Sequence, residues 1–172
     1  MRFLRKLLGR EDVPADVAGR LAADERVLAV AALGDGEHLV VTSHGLWLPG
    51  GEGARQVGWH LVSKATWKSG VLTVVEAEET ETIGGAVLLA DLPPRRLRLT
   101  DPGRVPETVH ARVEGSIRSR HHRDLPGGGA WFVQRKVAGR DGIVLQVRPD
   151  EGTDLAVVRQ VVADVERTLG RA

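Results

Sequence analysis

Hydrophobic and polar positions alternate through much of Glu37 to Ala77, and turn residues interrupt the alternation every few positions. The run Glu37-His-Leu-Val-Val-Thr42 reaches the tight turn Ser43-His44-Gly45, then Leu46 to Leu48, then the loop Pro49-Gly50-Gly51-Glu52-Gly53. Arg55 to Trp59 and Val62 to Trp67 follow, as two strands or as one strand bent near His60. Lys68-Ser69-Gly70 then turns the chain into Val71 to Ala77. A period of two broken by turns predicts an antiparallel meander with one buried face. Arg26 to Leu33 reads as a mostly buried strand. Its alanines make helix a competitor, but Gly34-Asp35-Gly36 favours a hairpin with Glu37 to Thr42.

The pattern loosens further along. Glu76, Glu78, Glu79 and Glu81 read as a solvated strand end and loop, and Thr82 to Ala90 is ambiguous across Gly84-Gly85. After Pro93-Pro94, Arg95 to Thr100 alternates as a strand with arginines on one face. Val105-Pro106 opens a helix to about Arg120, with Val109, Val113 and Ile117 recurring every fourth residue. Arg118 to Pro126 is basic and irregular, and Gly127-Gly128-Gly129 reads as a flexible link. A hairpin of Ala130 to Val137 and Ile143 to Arg148 comes next. Thr153 or Asp154 caps a last helix with the stripe Leu155, Val158, Val162, Val165 and Leu169, ended by Gly170.

At the N-terminus, residues 2–9 form two helical turns with Phe3, Leu4, Leu7 and Leu8 on one face and Arg2, Arg5 and Lys6 on the other. Two readings stand: a basic amphipathic tether on anionic lipid, or a plug docked on the chain's own sheet. Pro14 to Ala23 is a second short helix with Val17, Ala18 and Leu21 inward. The expected organisation is therefore an N-terminal helical segment over 1–24, a barrel with its helix over 25–120, and a ββα extension over 121–172 packed on the same domain.

The order of elements carries a resemblance. Up to seven short strands from Arg26 to Thr100, then a helix from Pro106 to Arg120, look like a pleckstrin-homology-like (PH-like) barrel. The wording is similar to the bacterial branch of that superfamily at Leu39-Val-Val-Thr42, Gly45-Leu-Trp-Leu48, Val57-Gly-Trp59 with Leu61-Val62, and Gly70-Val-Leu-Thr-Val74. Trp59-His60, Asp101 to Arg104 and Leu125 to Gly129 also resemble uncharacterised actinobacterial proteins. The barrel likeness covers residues 26–120, and the tail departs from it, leaving open whether the helix at 106–120 or that at 154–169 closes the barrel. The resemblance implies an α+β fold, an antiparallel PH-like barrel closed by a helix, and a binding role without catalysis.

Composition narrows the chemistry. The chain has 172 residues, 42% hydrophobic and 27% charged, with a formal net charge of +1, so no global field draws it to nucleic acid. It has no cysteine, which removes disulfides, thiolate catalysis and zinc–cysteine sites and suits a reducing compartment. No apolar run approaches the roughly 20 residues that span a bilayer. The expected location is the cytoplasm, with a peripheral place at the inner face of the membrane.

No catalytic, cofactor or metal residue stands out. The six histidines supply no set of converging ligands. No serine sits in a nucleophile elbow, and neither glycine cluster has the lysine or the strand-to-helix setting of a phosphate loop. The candidate anion or partner site is Arg118, Arg120, His121, His122 and Arg123 beside the glycine run. The candidate membrane or partner contact is Arg2, Phe3, Leu4, Arg5, Lys6, Leu7 and Leu8. The expected function is binding of a protein partner or an anionic membrane surface. The alternatives are a small hydrolase using His60 or His121, or a nucleic-acid binder using residues 118–123.

Overall fold

A computed structural model describes residues 13–170. The N-terminal tether-or-plug segment, Arg2 to Leu8, lies outside the described residues. In chain order the elements are α1 (Ala15–Ala18), β1 (Val27–Ala32), β2 (His38–Thr42), β3 (Gly45–Leu48), β4 (Arg55–Gly58) and a 3-10 turn (Trp59–Leu61). Then come β5 (Val62–Lys68), β6 (Val71–Ile83), β7 (Ala86–Asp91), β8 (Arg95–Arg98) and α2 (Val105–Ser116). The chain ends with β9 (Ile117–Leu125), β10 (Gly128–Lys136), β11 (Ile143–Pro149) and α3 (Leu155–Thr168). The protein is α+β, with mostly antiparallel sheets.

The antiparallel meander forms, but it divides between two sheets, and β2 and β3 are buried on both faces rather than one. β1 to β4 make one antiparallel sheet in sequence order, and the bend near His60 is a 3-10 turn that separates two strands. β5 and β6 join through Ser69-Gly70, both at positive φ, as a two-residue turn of mirror-image type requires. The inward side chains of β1 to β6, with Leu97 and Leu99, form one core. Val105, Val109 and Val113 of α2 complete it, so the helix at 105–116 closes this half of the molecule. Leu33 bridges to Leu99, joining the edge of the first sheet to the end of β8.

The outer face of the first sheet is covered as well. Val17 packs on Val40 and Trp47, with Val13, Leu21, Val27 and Val30 around them. The expected helix from Pro14 to Ala23 is only four residues long, because the turn after Ala18 closes at Gly19. Glu25 fastens this segment down. Its Oε2 accepts from Thr42 Oγ1 (2.6 Å), Trp47 Nε1 (2.9 Å) and Gln56 Nε2 (2.6 Å), and its Oε1 accepts from Ala22 N–H (3.1 Å). Burial alone would raise the carboxyl's pKa. Those hydrogen bonds, with the nearby His44, outweigh burial and hold it below the ordinary value.

Three expectations are corrected. The glutamate-rich stretch from Glu76 is no loop: β6 runs unbroken to Ile83, pairing with β5 and β8 over its first half and β7 over its second. The helix expected to reach Arg120 ends at Ser116, and the basic segment after it is strand β9. The triple glycine is not a flexible link. Pro126-Gly127 is a two-residue turn with Gly127 at φ +85°, and Gly128 and Gly129 already pair with Leu125 and Asp124.

The tail is thus three strands and a helix. β11 pairs with β7 in parallel, which gives the order β5-β6-β7-β11-β10-β9, with β8 beside β6. One face of this curled sheet carries Ala86, Leu88, Ala130, Leu145 and Val147, which pack on Val158 and Val162 of α3. The stripe on α3 is buried only at its middle, since Leu155 and Leu169 are exposed. Asp154 caps the helix through Ala156 N–H, while Thr153 instead bonds the backbone of Gly129 in both directions.

Candidate functional site

The other, concave face of the curled sheet is open. Between its two terminal strands lies a cleft of about 430 Å³. Ser63 to Thr66 of β5 form one wall, and Ile117 and Arg120 of β9 the other. His110, Val113 and Glu114 of α2 close one end. Four consecutive β5 residues meet the same space, so this strand presents its edge rather than a face. The cleft is an open seam in a half-barrel.

Strand register fixes what faces the seam, because cross-strand partners share a face. His122, Trp131 and Arg148 form one row across β9, β10 and β11, and Arg120, Val133 and Gln146 form the next. His121 and Arg123 stand in register with Phe132 and Ala130, which pack on the α3 side. The sequence-predicted cluster is therefore divided: Arg120 and His122 face the seam, His121 and Arg123 point to the opposite face, and Arg118 lies exposed at the bulge before Ser119.

The floor holds a residue the sequence reading passed over. Arg135 on β10 is 2% exposed. Its Nε and Nη2 donate to Ser116 Oγ (3.0 and 2.6 Å), its Nη1 to Val62 O (2.9 Å), and its Nη2 also to Trp59 O (2.8 Å) and Val113 O (3.4 Å). Every acceptor is neutral. Two belong to the last turn of α2, where unpaired carbonyls carry the negative end of the helix dipole. Burial, then the charges of Arg148 and Arg120, push the guanidinium down to about 10, so it remains charged at neutral pH. Among the described residues no carboxylate cancels that charge within its hydrogen-bond shell.

The walls add more cations. Lys64 and Arg148 line the seam with Arg120. Arg120 lies 3.6 Å from Glu114, and Arg148 lies 3.3 Å from Asp91 without hydrogen-bond alignment. Trp131 stands at the rim, 38% exposed, with the His122 ring edge-on at 5.1 Å. His122 is held by Asp150 (2.7 Å) and faces Asp124 (3.7 Å). An alanine methyl at 129 would lie 2.6 Å from the His122 ring, so glycine there makes room for it.

Beneath the floor, Gln146 Nε2 donates to His60 O (2.6 Å), while Gln146 Oε1 and His60 Nδ1 are buried without partners among the described residues. Burial first, then the charges of Arg135 and Arg140, push His60 down to about 4, so its ring is neutral at pH 7. Three serine hydroxyls bond elsewhere: Ser43 accepts from Arg26 N–H, Ser116 donates to Val113 O, and Ser119 donates to Gln134. Among the described residues no three His, Asp or Glu side chains converge as a metal site. No described helix is long and apolar enough to cross a membrane. What the seam offers is positive potential, an aromatic rim and unpaired strand edge.

The signal for Arg135 was present in Ala130-Trp-Phe-Val-Gln-Arg135, where the arginine falls in the same phase as Val133. Its partners, 19 to 76 residues away, were not visible as neighbours. Comparison with protein-family models, with curated proteins and with solved structures finds no match.

Proposed function

We propose that this chain is a non-enzymatic binding protein of PH-like architecture whose seam receives an acidic segment of a protein partner. The observation that carries the reading is Arg135: a buried guanidinium with only neutral acceptors, at the floor of a cleft that also holds Lys64, Arg120 and Arg148. Fixed charge under low-dielectric walls focuses potential into a cleft and favours an anionic visitor. The exposed Trp131 supplies the aromatic area that interface hot spots use. The PH-like part rests on β1 to β4, the set β5, β6 and β8, and α2 lying across their common core.

Shape favours a protein over a bilayer. Lys64, Arg120 and Arg148 line a hollow, and a flat headgroup plane does not reach into one. An extended acidic segment does. Titration with poly-L-glutamate at low salt, followed by tryptophan fluorescence, tests the reading. Binding is expected to weaken with added salt and to fall in a Lys64→Ala/Arg120→Ala double variant. Equal affinity in the double variant, or preference for vesicles of phosphatidylcholine and phosphatidylglycerol over the polypeptide, overturns it.

A further inference from the structure

β9 is the last strand of its sheet, and among the described residues no strand lies beside its outer edge. The N–H and C=O groups on such an edge are free to pair with another chain. β5, across the seam, also presents its edge, but α2 packs more extensively on β5 than on β9, and β5 carries two cations, Lys64 and Lys68, against the three arginines of β9. Charge decides the occupant. β9 carries Arg118, Arg120 and Arg123 against a single acidic residue, Asp124. Two copies pairing edge to edge would bring arginines together, which is unfavourable, whereas an acidic strand would set carboxylates opposite them. An added strand would also continue the two rows that end at Arg120 and His122, with alternate side chains entering the seam beside Trp131.

We infer that the acidic segment binds as an additional β-strand hydrogen-bonded to the free edge of β9, closing the open side of the half-barrel. This rests on the acidic-segment reading above and specifies how the segment is held. Backbone hydrogen bonds supply a sequence-tolerant part of the affinity, and Arg120, Lys64 and the Arg135 charge supply the preference for acidic side chains. The ion pair of Arg120 with Glu114, both half-exposed, is exchanged for one with the ligand.

The test uses the full chain and a blocked peptide of alternating glutamate and valine, about six residues long. Two further peptides carry N-methyl groups on alternate residues, so that each loses the hydrogen bonds of one strand edge while its charge is unchanged. The expected result is asymmetric. One methylated peptide binds at least about tenfold more weakly, equivalent to about 1.4 kcal/mol, and the other binds like the parent. The parent also slows amide exchange within residues 118–125. If the parent binds and both methylated peptides match it, or if exchange in β9 is unchanged, strand addition is overturned and the acidic-segment reading survives. If the parent does not bind at low salt, both are overturned.

Discussion

Ser116 ends α2 and takes two hydrogen bonds from Arg135, while its own hydroxyl donates to Val113 O at 2.7 Å. One side chain of the tail thereby terminates the helix that closes the other core. Arg135→Ala leaves the Trp59, Val62 and Val113 carbonyls without this donor and is expected to cost about 3 kcal/mol or more. Arg135→Lys keeps the charge but not the fork, so it should fall between the variant and the parent. Urea denaturation of the three proteins measures the order, and equal stability would show that the fork is dispensable.

Acid should weaken the fold in two separable windows. His60 titrates at about 4 in the folded chain against an ordinary 6.5. The unfolded chain therefore binds the extra proton first, and stability falls as pH drops from 6.5 toward 4, by at most about 1.4 kcal/mol per pH unit. A His60→Asn variant should show a flatter slope there, read from melting temperature against pH. An unchanged slope would mean that the ring is freely solvated.

Glu25 acts in the lower window. Its folded carboxyl ionises below the ordinary 4.5. Its contribution is full above that value and is lost as pH falls through the lower folded one. Glu25→Gln should cost about 2 kcal/mol at pH 7, with the gap to the parent narrowing toward pH 3. A constant gap across that range would show that charge plays no part.

Gly45 faces backbone. A methyl there would lie 2.3 Å from Val57 O and 2.9 Å from Val57 C, in the register that pairs Gly45 with Gly58. Neither atom is a side-chain end that can swing away. Gly45→Ala is expected to lose about 3 kcal/mol, measured by chemical denaturation. Full stability would mean that β3 and β4 can separate without loss.

Glu114 competes with any acidic ligand for Arg120. An exposed ion pair of this kind is worth up to about 1 kcal/mol. Glu114→Gln should therefore raise affinity for poly-L-glutamate by about two- to fivefold, with the melting temperature nearly unchanged. A fall in affinity would place the ligand elsewhere.

The meander was legible because β2, β3 and the first half of β6 are rich in apolar side chains that the fold buries, on both faces in β2 and β3 and at alternate positions in β6. Two strands hid. Ile117 to Leu125 lies at a sheet edge and buries almost nothing between its two apolar ends, so Arg-Ser-Arg-His-His-Arg-Asp carries no period of two. Glu76 to Glu81 has the same composition problem, and its strand is dictated by β7 across the ladder. Of the site, Arg120 and His122 were legible as basic residues near a turn. That His121 and Arg123 point away follows only from register, and the buried charge of Arg135 follows only from carbonyls distant in sequence.

β6 is thirteen residues long and reaches both cores. Leu72 and Val74 sit in the core closed by α2, while Ile83 sits against the core closed by α3. The two cores hang on one beam, and Arg135 ties them a second time. Loss of order in either half removes a pairing partner from the other, so heating should melt both in one cooperative step. A fragment ending near residue 120 would leave the far end of this beam and β7 bare, a sticky flank ready to recruit neighbouring molecules.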